Sequence, residues 1–366
     1  MNIPAKTLHR WYKDVISDYH KDKAEGRFMK ERIEVVNRDT GEIKEKVIPI
    51  CSPHHVGERM SIDEKMIGRK YSVIMSNKDT GKIALLVDSI DPEVVKEGIK
   101  RLGSEALSRI KWISMDMSPM MNKISKEVLP QAEIVIDKFH VMKHVYDAVQ
   151  GIRLDIKKGI KEGREQSGKK ERGEMKYSGI ELLEKGRYLL FKKREELKEE
   201  ERSLLEMLLG RFKHLRVGYE LLEQFREWYD KKHIGMSMQK IKERLYAWKE
   251  GVRKSGLKQY RSILRLLDRY EEEIVRYFIG GQTSSRAENI NGIIERMVMS
   301  QYGIRNREFF FYRMQVYFSP TPEKKNYLYF DMMWYFLPHI HFPKICFAQL
   351  FSIYPKILLL QCIRHF

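Results

Sequence analysis

Residues 59–88 read RMSIDEKMIGRKYSVIMSNKDTGKIALLVD, and three short runs within them decide the fold. Arg59–Glu64, Tyr71–Ser76 and Lys82–Val87 are dominated by strand-forming and apolar side chains, and an Asn-Lys-Asp-Thr-Gly turn separates the last two. The pattern predicts an antiparallel meander of three strands. Further along, Pro92 opens a helix to about Leu107, Ile110–Met115 reads as a strand, Pro119–Leu129 as a helix and Glu133–Ile136 as a strand.

The resulting order, βββαβαβ, is the ribonuclease-H-like α/β order: a mixed sheet with helices on its faces. Residues 138–278 carry almost no strand signal and show helical apolar spacing, as in Leu182, Leu183, Leu189 and again in Leu204, Leu205, Leu208, Phe212. They predict a large α-helical insertion, with the charged stretch Lys157–Lys176 as an exposed loop inside it. Gly280 and Gly281 end that pattern, and a late helix follows from about Ser285 to Met299. Before the meander, Leu8, Trp11, Val15 and Ile16 suggest one basic helix over residues 4–18. Beyond Phe318 the chain turns aromatic and aliphatic, with five prolines from Pro320 to Pro355 interrupting any helical period. The expected organisation is a basic lead-in (1–57), a catalytic domain built from 58–140 and 281–318, a helical insertion (141–280) and an atypical hydrophobic tail (319–366).

Lys and Arg number 69 against 51 Asp and Glu, a formal charge of +18. That excess attracts a polyanion through counterion release, which makes double-stranded DNA the leading partner. A membrane surface is disfavoured because no basic amphipathic helix comes with a lipidation signal. Three irregularly spaced cysteines support neither a disulfide framework nor a four-cysteine zinc site. No apolar leader is evident near the start, so a cytoplasmic, nucleoid-associated protein without a small-molecule cofactor is expected.

Strand parity places Ser61 and Asp63 on one face of the first strand and Met60 and Ile62 on the other. Asp116 stands where Ile110–Met115 runs out, at the kind of strand end where ligands collect in open sheets. Two carboxylates brought together repel each other, and a divalent cation between them removes that cost. A third acid would hold a second ion, and Glu288 is the candidate. Each acid has a plainer reading. Ser285-Arg286-Ala287-Glu288 also fits a capping box, which on local grounds is the better account of Glu288, and Asp63 and Asp116 can each be a solvated strand-end residue. Asp137 reads as an N-cap of the helix beginning Lys138-Phe139-His140. His140 and His144 lie one turn apart on it, but no third ligand at suitable spacing completes a metal site.

With these residues in place, the sequence resembles the insertion-sequence L-three family of bacterial DDE transposases over roughly residues 60–318. The likeness is carried by Ser-Ile-Asp63-Glu, Met-Asp116-Met, Ile-Val-Ile-Asp137-Lys-Phe-His140-Val and Arg286-Ala-Glu288-Asn-Ile-Asn291, with Tyr302-Gly303-Ile-Arg305-Asn306 beyond them. The resemblance implies that Asp63, Asp116 and Glu288 are the catalytic, metal-binding triad, served by two Mg²⁺ or Mn²⁺ ions. It implies DNA cleavage and strand transfer at insertion-sequence ends, carried out by a homo-oligomer on DNA. Family members open with a zinc-binding segment and a helix-turn-helix, whereas this chain opens about where that region should end. The expectation is therefore that terminal-repeat recognition is reduced. The alternatives are another ribonuclease-H-like nuclease, which never joins strands, or an inactive DNA-binding remnant of a transposase.

Overall fold

The computed structural model describes residues 12–26, 31–36, 43–163, 177–280, 285–299 and 306–318, with single residues 7, 10, 28, 41 and 304 between them. Its strands are β1 (Glu31–Val36), β2 (Ile43–Ile48), β3 (Ile50–Cys51), β4 (Arg59–Ile67), β5 (Lys70–Asn77), β6 (Ile83–Val87), β7 (Trp112–Met115) and β8 (Glu133–Ile136). β1 and β2 form a small antiparallel sheet of their own, and the others make a six-stranded sheet in the order β3-β6-β5-β4-β7-β8. Its strands β4, β5 and β6 are antiparallel neighbours while β7 and β8 are parallel, the expected mixed ribonuclease-H-like arrangement with a helical insertion. The described chain forms two compact units, the first drawn from residues 1–111, 123–132 and 285–366, the second from 112–122 and 133–284.

In the first unit, β4 keeps the expected alternation. Asp63 pairs with Ile74 and Ser61 with Ser76, so these residues share a sheet face, while Met60 and Ile62 are buried on the other. The turn between β5 and β6 is set by Asn77, whose side-chain oxygen accepts the backbone N–H of Asp79 at 2.8 Å and of Thr80 at 3.0 Å. Gly81 supplies the left-handed step, at φ 69°. On the Asp63 face, Ile67, Ile74, Ile83 and Leu86 join a core with two late helices, Ser285–Met299 and Arg307–Phe318. Ile290, Ile294 and Met297 come from the first of these and Phe309, Phe310 and Met314 from the second. Each such buried side chain contributes about 1.5–3 kcal/mol. Arg307 ties the last helix down: its guanidinium pairs with both oxygens of Asp88 and donates to the carbonyl of Ile67 at 2.5 Å. Asn306 caps that helix by accepting the N–H of Phe309 at 2.8 Å.

In the second unit, the parallel pair β7–β8 leads into the 24-residue helix Lys138–Lys161. That helix packs on Lys213–Trp228, where Gly218 lets the two approach: a Cβ there would meet Ile152 Cδ1 at 2.4 Å. Phe225, Trp228, Tyr229 and Trp248 form an aromatic core with Tyr277 and Phe278.

Several boundaries depart from expectation. The helix Pro92–Leu107 is two, Pro92–Lys100 and Ser104–Ser108, because Gly103 takes a left-handed φ of 83° between them. The supposed loop Lys157–Lys176 is helical as far as Lys161, since Ile156 and Ile160 bury on one side of the long helix, and residues 164–176 lie outside the described residues. Of the helix expected over residues 4–18, residues 12–16 are a π-helical turn, Tyr12–Ile16, most of residues 4–11 lie outside the described residues, and Asp18, at φ 57°, separates that turn from the helix Tyr19–Ala24. The strands β1, β2 and β3 were not anticipated in the lead-in. The tail, 319–366, lies outside the described residues.

Candidate active site

Asp63 sits mid-strand in β4, half-buried, and Asn291 of the helix Ser285–Met299 donates its side-chain N–H to Asp63 Oδ2 at 2.6 Å. The direction of this bond is fixed, because an ionised carboxylate only accepts and the amide nitrogen only donates. Two residues further along the strand, Lys65 pairs with Glu295 one turn further along the helix, at 2.5 Å. The Asp63 face of β4 is thus held against the helix that carries Glu288.

Glu288 itself lies in the first turn of that helix. Its side chain lies outside the described residues, and so does the predicted capping box from Ser285.

Asp116 follows β7 directly, half-buried, and its Oδ1 accepts the backbone N–H of Ser118 at 3.0 Å. This is an Asx turn leading into Pro119, the local role its position allows. Asp137 is the N-cap expected from sequence, with Oδ1 accepting the N–H of Phe139 at 2.9 Å while its own N–H donates to Met115 O at 2.8 Å. His140 follows in the first turn of the same helix. Its Nδ1 is shielded from solvent and has no hydrogen-bond partner among the described residues. In His144, one turn on, burial pushes the imidazole below its ordinary value, outweighing the nearby Asp147 carboxylate.

Asp63 in the first unit, and Asp116 and His140 in the second, offer the donor types that hold a divalent ion. The donor chemistry fits: carboxylate oxygens suit Mg²⁺ and Mn²⁺, and an imidazole nitrogen without a partner adds a donor that Mn²⁺ tolerates better than Mg²⁺ does. Sequence reasoning weighed His140 only with His144 at helical spacing. A search for histidines alone along one helix does not reach carboxylates on other segments. The available signal was the position of Asp137-Lys-Phe-His140 directly after a strand.

No helix among the described residues is long and apolar enough to cross a membrane. Residues 60–314 match the profile of the ISL3-type DDE family, described as Transposase. The chain is also similar to the transposase for insertion sequence element IS1001 of Bordetella parapertussis, 22% identical over 264 residues. That alignment covers 71% of this chain and 61% of the relative, so the chain spans less than two thirds of the relative's length. No solved structure matches.

Proposed function

The chain belongs to the ISL3 family of DDE transposases, and from that premise we propose that it cuts DNA at the ends of an insertion sequence and joins the freed 3′ ends to target DNA. Asp63, Asp116 and Glu288 are the catalytic acids in this reading, with His140 as an additional ligand. The domain that carries them comprises residues 58–140 and 281–318. Residues 141–280 form an insertion whose basic helices contact DNA phosphates, and the protein acts in the bacterial cytoplasm as an oligomer on its DNA.

The observation that carries the reading is the Asn291–Asp63 hydrogen bond. It tethers the helix of the third acid to the strand of the first.

A pair of Mg²⁺ or Mn²⁺ ions would supply a nucleophile at neutral pH and offset charge on the attacking and leaving oxygens of an in-line displacement. The chain's own part is to gather that charge and hold it still. Asp63 is oriented by Asn291, Asp116 by the turn to Ser118, and His140 by the first turn of a long helix whose N-cap is Asp137. The excess of Lys and Arg binds the DNA backbone without reading sequence.

The test is a cleavage and strand-transfer assay on DNA carrying the element's ends, with Mn²⁺ or Mg²⁺. Wild type should nick and join. Asp63→Ala, Asp116→Ala and Glu288→Ala should each lose both steps while still binding duplex DNA. Cleavage without joining would favour a nuclease, and full activity in Glu288→Ala would refute the triad.

A further inference from the structure

We propose that Asn291 is a positioning residue, which locks the Asp63 carboxylate in the orientation that receives a divalent ion. The inference rests on the reading of Asp63 as a metal ligand.

The placement of Asn291 is costly unless it does something there. Asn is a weaker helix former than Ala in a helix interior. This one occupies the second turn of a helix whose neighbouring residues Ile290 and Ile294 are buried in the core of the first unit. Its amide faces a strand rather than water, and its N–H reaches Asp63 Oδ2 at 2.6 Å. A carboxylate oxygen carries two lone pairs, so accepting one N–H leaves the group able to bind an ion while removing its freedom to rotate. Outer partners of this kind fix ligand orientation in metal sites generally.

A purely mechanical role for Asn291, holding helix to strand, is the competing account. That role already has holders. Lys65 and Glu295 join the same two elements at 2.5 Å, and Ile67 packs in one cluster with Ile294 and Met297. Asn291 differs from these contacts in ending on the acid itself.

The measurement is Mn²⁺ binding to the full chain without DNA, by isothermal titration calorimetry, alongside thermal unfolding in the absence of metal. Asn291→Ala should weaken Mn²⁺ binding by about 10-fold. Asn291→Ser, whose hydroxyl is too short to reach, should do the same, and it decides the question if the Ala variant does not fold. Lys65→Ala, which cuts only the mechanical tether, should bind Mn²⁺ like wild type. Wild-type affinity in both Asn291 variants, with Asp63→Ala having lost the ion, would overturn the positioning role and leave the proposed function standing. Wild-type affinity in Asp63→Ala would remove the ligand assignment, and the role of Asn291 with it.

Discussion

Asp116 combines a structural and a chemical assignment in one side chain, and the two separate by substitution. Asn accepts the Ser118 N–H as Asp does, so Asp116→Asn should leave the urea midpoint within about 0.5 kcal/mol of wild type. It lacks the charge to hold an ion, so DNA cleavage should be lost; retained cleavage would remove Asp116 from the triad. His55 offers a second residue-level test. Its Nδ1 lies 2.8 Å from Ile83 O, and burial holds the imidazole below its ordinary value of 6.5, with His54 and Lys82 adding to the effect and the Ile83 bond opposing it. The fold favours neutral His55, so its contribution is complete above pH 6.5. As pH falls below that value the unfolded chain takes up the proton first, and stability declines toward the lower folded value. His55→Asn keeps an N–H donor for Ile83 and removes the titration, so its urea midpoint should fall less than that of wild type between pH 7 and pH 5.5. Equal slopes would contradict the assignment. Asp63 was legible because a two-residue period and a run of flanking residues agreed on its face. For His140 the sequence offers only its spacing from His144 on one helix, and a helical period says nothing about donors on other segments.

At the scale of elements, one guanidinium pins the start of the last helix to the sheet, beside the core contacts of Phe309, Phe310 and Met314. Arg307 reaches Asp88 past β6 and the Ile67 carbonyl at the end of β4, with Ser72 Oγ at 3.2 Å. Both side chains of the ion pair are about one-fifth exposed, so solvent screens it only in part. Arg307→Ala should cost about 1.5–3 kcal/mol, the range for hydrogen bonds to a charged group. Arg307→Lys should recover only part of this, because an ammonium cannot match the two-pronged geometry. Urea midpoints at unchanged m-value would check both. The strands β4 to β8 were readable from β-rich runs and turn residues. The pair β1–β2 carried the same information in weaker form: residues 37–41 read NRDTG, close to the NKDTG of 77–81, and Gly41 has φ 68° as Gly81 has 69°. Short, highly charged runs such as ERIEVV and IKEKVI hide that hairpin, because their apolar positions are too few to announce a buried face. The break at Gly103 was hidden for a different reason. A single glycine inside an apolar period is compatible with a continuous helix, and nothing in the period foretells the φ of 83° that ends it.

For the molecule as a whole, the charge of +18 makes a salt-dependent prediction from the proposed function. Binding to a duplex without element ends should weaken steeply with salt, with the logarithm of the affinity falling linearly against the logarithm of salt concentration. Fluorescence anisotropy between 50 and 200 mM salt, on the order of the range where such losses are large, measures that slope. A flat response would remove the phosphate-contact role of the basic helices. One further consequence follows from the contact between Asn291 and Asp63, which are 228 residues apart in the polypeptide. Translation proceeds from the N-terminus, so the strand bearing Asp63 leaves the ribosome long before the helix bearing Glu288 and Asn291 exists. On the proposed function, a nascent chain can already adhere to DNA by its charge while it still lacks the helix of the third proposed acid. Translation order therefore holds back the proposed DNA cleavage until that late helix has emerged.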